Sequence, residues 1–154
     1  MNLNKWRWSK EMTKVTAINI SEKKGTPKKT IAQGEFMVDF GLKGDAHGGN
    51  WHRQVSFLGQ ESIDKMTAVG IKGLCSGKFA ENITTEGIEL FTLPIGTRLK
   101  INEVVFEVTQ IGKECHQKCA IYHQIGDCIM PKEGIFAKVI TGGIIEAGDE
   151  IEIC

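Results

Sequence analysis

The sequence predicts a mainly β, barrel-like domain with one to three short helices, and three observations carry that expectation. Eighteen glycines stand against three prolines. Glycine is used where a backbone needs positive φ or close approach, so tight turns and bends should be frequent. Roughly seven short runs read as strands, several with apolar and polar residues in alternation. The length, 154 residues, suits a single core, because domains cluster around about 100 to 150 residues.

Composition narrows the function classes. Hydrophobic residues make up 41% and charged residues 25%, which is ordinary for a globular chain and carries no signature of disorder. Nineteen basic residues balance nineteen acidic ones, arguing against a dedicated nucleic-acid binder or a polybasic membrane anchor. No apolar run approaches the roughly 20 residues that cross a bilayer. The five cysteines are odd in number, and no charged stretch followed by an apolar run opens the chain, so the expected compartment is the cytoplasm with thiols reduced.

Residues 1–12, MNLNKWRWSKEM, hold two tryptophans and four charges without periodicity, and read as an N-terminal arm ahead of a domain over 13–154. Val15, Ala17, Ile18 and Ile20 predict a first strand, and EKKGTPKK over 22–29 predicts a solvated hairpin loop. The glycine-rich run from Gly34 to Gly49 suits a strand entering a tightly turned loop. Val55, Phe57 and Leu58 look strand-like. Ile63, Met66 and Val69 recur at spacing three, which predicts a helix over 60–69 closed by Gly70, with its apolar stripe facing the core. A strand is expected over 79–85. LPIGTRLKI and VVFEVT give the clearest alternation, with Asn102-Glu103 placed to turn a hairpin. GIFAKVI and residues 150–153 complete the strands.

The densest chemistry lies in GKECHQKCAIYHQIGDC, residues 112–128. Cys115 and Cys119 are four apart, one turn and one face if the segment is helical. Such thiols can join a zinc site, form a redox pair, or present one sulfur to a substrate or soft metal. A closed zinc site would have to draw on His116 and His123, and the spacing is not C-x-x-C. Lys113, Lys118 and the histidines would favour a reactive thiolate. Burial as small apolar side chains is the ordinary fate of free thiols, and the spacing leaves these readings open. In GLKGDAHGGNWHR, residues 41–53, glycines surround Lys43, Asp45, His47, His52 and Arg53. Converging backbone N–H groups and basic side chains suit an anionic, phosphorylated ligand. A structural hairpin carrying solvated charges fits equally well.

Taken in order, KGDAHGG with RQVSFLG, FAENITTEGIEL, LPIGTRLKI, VTQIGKECHQKC and GIFAKVI resemble a MOSC domain, named for the C-terminal domain of molybdenum cofactor sulfurases. The resemblance runs over about 15–153 and is nearest to small, stand-alone bacterial members. It implies a mostly β, barrel-like fold and a cysteine that carries sulfur or ligates molybdenum. Cys119 best matches that cysteine, with Cys115 as a resolving or supporting thiol. Asp45, His47, Arg53, Asn82 and Thr84 match positions that hold the molybdenum cofactor (molybdopterin), and charge and sequence proximity add Lys43 and Lys113. The resemblance also implies a separate cysteine desulfurase and a molybdoenzyme as partners, while the balanced charge and the lack of a long apolar run lead to the expectation of no nucleic acid and no membrane. A pyridoxal-phosphate desulfurase domain does not fit in 154 residues, so no pyridoxal phosphate is expected in this chain. Three functions follow from it: sulfur delivery through a Cys119 persulfide, a molybdenum-ligating oxidoreductase core reducing N-hydroxylated substrates, and a non-catalytic carrier or partner-binding module.

Overall fold

The structure, a computed structural model, describes residues 13–24, 28–68, 79–112 and 133–154. In chain order these form β1 (Lys14–Ile20), β2 (Lys29–Ile31), β3 (Gln33–Met37), β4 (Gly41–Leu42), β5 (Val55–Gly59), α1 (Gln60–Ala68), β6 (Ile83–Glu86), a 3-10 turn (Leu90–Thr92), β7 (Arg98–Ile101), β8 (Val104–Ile111), β9 (Ile135–Thr141), β10 (Gly143–Glu146) and β11 (Ile151–Ile153). The N-terminal arm, the Gly70 cap and the Cys115–Cys119 segment lie outside the described residues.

Two sheets result. The larger has the order β11-β7-β8-β9-β5-β6-β1-β2 and the smaller β10-β3-β4. Pairing is antiparallel except between β5 and β6, which run parallel. Parallel neighbours need a long crossover, and α1 lies within the connection between them. The mainly β expectation holds, but continuous pairing stops short of a closed barrel. The reason lies at β1, whose second half pairs with β2 while its start reaches toward β11 only through the Lys14–Glu150 bridge. Three backbone bonds reinforce that contact: Val15 N to Asp149 O at 2.8 Å, Gly148 N to Val15 O at 2.7 Å and Ile151 N to Thr13 O at 3.0 Å.

The strongest alternation yields the longest strand. Val104, Phe106 and Val108 of β8 are buried, while Val105 and Glu107 between them are only partly covered. Asn102 takes φ 55° in the β7–β8 turn, a left-handed geometry that asparagine tolerates well. In α1, Ile63 and Met66 face inward. The predicted strand over 79–85 begins only at Ile83, because Ala80 adopts φ 65° and turns the chain before pairing starts. β10 was not anticipated; its four residues sit between glycine turns and are too short to show alternation.

One core cluster draws from both sheets. At its centre Phe106 meets Phe36 edge-on, with centroids 5.4 Å apart, and Phe57 at 5.1 Å. All three rings are at most 1% exposed, and burying each stabilises the fold by about 2 to 3 kcal/mol. Phe36 belongs to the smaller sheet, so this contact holds that sheet over the larger one.

Candidate functional site

The loop between β4 and β5 is held from below by an ion pair that the sequence does not suggest. Lys28, expected in a solvated loop, is 5% exposed. Its Nζ donates to Asp45 Oδ1 at 2.7 Å, to Ser21 Oγ at 3.1 Å, and lies 3.1 Å from His47 Nδ1. Asp45 also accepts from Ser21 N at 3.1 Å and from His47 N at 3.2 Å. Burial pushes the Asp45 carboxyl upward, but hydrogen bonds from Lys28 and Ser21, the Lys28 charge and an Asn82 hydrogen bond outweigh it and hold the group below its ordinary value. Asp45 therefore anchors the loop from inside.

Backbone turns shape the rest of the loop. Ala46 N donates to Ser21 O at 2.8 Å and Gly49 N to Phe40 O at 2.8 Å. Gly41, at φ 112°, starts the segment, and a Cβ there would stand 2.5 Å from Gln54 O. Only glycine lets the two ends of the loop approach so closely.

The loop forms one wall of a cleft. His47, Trp51 and Arg53 line it with Ser56 of β5, Phe79, Ala80 and Asn82 before β6, and Phe136 of β9. The Arg53 guanidinium carbon lies 4.6 Å from the Trp51 ring centroid and 5.7 Å from that of Phe136. Arg53 Nε is buried without a hydrogen-bond acceptor. Among the described residues no carboxylate pairs with this guanidinium. A cation stacked on aromatic faces with donors to spare is a place for an anion.

Asn82 and Thr84 are built in differently. The Asn82 carboxamide oxygen accepts from Ser56 N at 3.0 Å and lies 3.1 Å from Ser56 Oγ, while its nitrogen donates to Asn19 O at 3.3 Å and reaches Asp45. Asn82 ties β5, β1 and the loop together at the cleft floor. Thr84 is fully buried; its hydroxyl donates to Glu81 Oε2 at 2.8 Å and accepts from Asn19 Nδ2 at 3.0 Å. Lys43 lies on the exposed rim, 3.9 Å from Glu35, with its side chain 67% exposed, and is not part of the cleft lining.

The structure thus brings together His47, Arg53 and Asn82 with Asp45 beneath them, and leaves Lys43 and Thr84 outside the lining. Lys113, Cys115 and Cys119 lie outside the described residues. The chain leaves β8 at Gly112 and re-enters at Glu133, where Gly112 N bonds Gly134 O at 2.7 Å. This end of the β8–β9 hairpin is fastened to the loop. His52 Nε2 lies 3.0 Å from Gln110 Oε1, Gln110 Nε2 donates to Gly112 O at 2.9 Å, and Thr109 Oγ1 bonds both His52 O and Phe136 O. Among the described residues no group of three His, Cys, Asp or Glu could hold a metal, and no helix is long and apolar enough to cross a membrane. Sequence reasoning missed Lys28, Ser56 and Phe136 altogether. Trp51 could have been found, as an aromatic ring inside a basic loop.

Comparison with known proteins gives a consistent outcome. The pattern of one family, described as the MOSC domain, matches residues 43–152. No curated protein matches the chain. Among solved structures it is similar to the YUAD protein from Bacillus subtilis, with a TM-score of 0.75 and 19% identity over 92% of this chain and 96% of that one. It is also similar to YiiM from Geobacillus stearothermophilus, with a TM-score of 0.71 and 18% identity over 92% and 75%. For YiiM from Escherichia coli the TM-score is 0.66, with 18% identity over 93% and 68%. At these identities the likeness is one of fold.

Proposed function

We propose, starting from the fact that this chain belongs to the MOSC domain family, that its cleft binds the molybdenum cofactor and that Cys119 handles sulfur for it. The observation that carries the reading is Arg53, a guanidinium stacked between Trp51 and Phe136 with a buried Nε lacking an acceptor. The cofactor combines a phosphate with a planar heterocycle, and the cleft offers a cation and aromatic faces side by side. The residues present fit such a group: Arg53 would hold the anion, His47 would add a hydrogen bond, and Asn82 and Asp45 would keep the walls in place. When bound, the cofactor supplies a metal that takes a terminal sulfur ligand.

The sulfur chemistry falls to the chain's own thiols. The Cys119 thiolate would attack the outer sulfur of a persulfide on a separate cysteine desulfurase. A new S–S bond forms at Cys119 while the donor's bond breaks and its cysteine leaves as thiolate. Attack of the Cys115 thiolate on Cys119 Sγ would then release the outer sulfur as hydrosulfide and leave a Cys115–Cys119 disulfide, so that atoms and electrons balance. The basic surroundings, Lys113 and Lys118 in sequence, favour thiolates. The proposed setting is the cytoplasm, and the proposed acceptor a molybdoenzyme.

The test is metal and pterin analysis of wild-type protein beside Cys119→Ser, with mass spectrometry after incubation with a cysteine desulfurase and cysteine. A mass increase of one sulfur on Cys119 supports the reading. No added sulfur, together with undiminished cofactor sulfuration by Cys119→Ser, sinks it. A non-catalytic carrier instead predicts pterin binding that survives loss of both Cys115 and Cys119.

A further inference from the structure

The Lys28 side chain has three acceptors around it: Asp45 Oδ1 at 2.7 Å, Ser21 Oγ at 3.1 Å and His47 Nδ1 at 3.1 Å. An ammonium carries three N–H donors and no lone pair, whereas a neutral amine carries two donors and would turn its lone pair on one of these partners. The geometry matches the ammonium, and the carboxylate at 2.7 Å with 0% side-chain exposure favours the charge. A group with no lone pair cannot accept a hydrogen bond from Nδ1. His47 Nδ1 must therefore present its own lone pair to Lys28.

We infer that Lys28 is a positioning residue that locks His47 in its neutral Nε2–H tautomer, so that the ring's one N–H lies on the edge away from the buried ammonium. The consequence for ligand chemistry rests on the cleft reading above. His47 lines the same cleft as Arg53, and a fixed Nε2–H makes it a hydrogen-bond donor to oxyanion oxygens rather than an acceptor. A ligand group that meets this edge must therefore offer a hydrogen-bond acceptor rather than a donor. Asp45 completes the device. Its Oδ2 holds the His47 backbone N–H at 3.2 Å, so the same carboxylate fixes the loop that carries the ring and the ammonium that sets its tautomer.

The test reads the tautomer itself and needs no bound cofactor. Nitrogen-15 NMR of histidine-labelled protein at neutral pH, with His47 assigned by its loss in His47→Asn, should show a pyridine-like Nδ1 and a pyrrole-like Nε2. In Lys28→Met the pattern should move toward mixed tautomers, because Asp45 Oδ2, 3.8 Å away, can then attract an Nδ1 proton. Lys28→Gln, which keeps an amide donor, should retain more of the wild-type pattern than Lys28→Met. A protonated Nδ1 in the wild type overturns the inference even if neither variant folds, and so does a folded Lys28→Met with an unchanged pattern. Failure of cofactor binding with the predicted tautomer intact would instead count against the proposed function alone.

Discussion

Lys28 Nζ lies 2.7 Å from Asp45 Oδ1 with the two side chains only 1% and 0% exposed. Removing one partner of such a pair strands the other charge away from water, at a cost of about 3 to 5 kcal/mol. Asp45→Asn should therefore destabilise the protein by about that amount at neutral pH. The folded-state carboxyl is held below its ordinary value of 3.8, so its contribution is fully present above that pH and is lost as the pH falls through the lower folded value. Urea unfolding of both proteins from pH 7 to pH 3 should show a constant difference that shrinks only below about pH 4.

Arg53 offers the cleft both its charge and a stackable plane. Arg53→Lys keeps the charge but loses the planar fork and the fit between Trp51 and Phe136, so it should behave nearly as badly as Arg53→Ala. Both should weaken binding of the released pterin cofactor about ten- to hundredfold, the loss expected for a charged hydrogen bond. Calorimetric titration checks this, and a melting temperature within a few degrees of wild type would show that the loss belongs to the site. Wild-type affinity in Arg53→Ala would remove the main support for the cleft as the binding place.

Asn82 should separate from Arg53 in such measurements. Its side chain serves Ser56, Asn19 and Asp45, so Asn82→Ala leaves buried partners unsatisfied and should lower stability by about 2 to 4 kcal/mol. Its effect on cofactor affinity, measured well below the melting temperature, should be smaller than that of Arg53→Ala. The opposite ranking would make Asn82 a direct ligand.

Gly41 provides a purely steric prediction. Its φ is 112°, and a side chain's Cβ would stand 2.5 Å from the Gln54 backbone oxygen, which cannot swing aside as a flexible side chain could. Gly41→Ala should destabilise by at least about 2 kcal/mol, whereas Gly96→Ala, at φ 96° with nothing within 4 Å, should lose less. Thermal unfolding of the two variants side by side decides it.

Legibility followed the range of the interactions. β8 was readable because Val104, Phe106 and Val108 repeat every second residue, and α1 because Ile63 and Met66 recur at three. β2, β4 and β10 were not, since strands of three, two and four residues are too short for a period to emerge. In the site, His47 and Arg53 stood out as basic residues among glycines. Lys28 did not, because in a run of lysines flanking a proline it looks solvated, and Asp45 and His47, which it meets, stand 17 and 19 residues away. Asn82 and Thr84 were singled out as polar residues on one strand, yet nothing local says that Thr84 turns into the core while Asn82 closes the cleft floor.

Local chemistry was enough to establish that this chain is mainly β, that its β7–β8 hairpin turns at Asn102, and that its motifs follow the order of the MOSC family. Those properties live in neighbouring residues, where side-chain alternation and turn preferences act without help from the rest of the fold. Only the assembled molecule reveals that the sheet stops short of closure, that Lys28 and Asp45 pair away from water, and that Arg53 stacks between Trp51 and a Phe136 more than eighty positions along the chain. Desolvation makes the difference: a charge in a loop is a surface feature until packing removes its water, and long-range packing determines which charges are given buried partners.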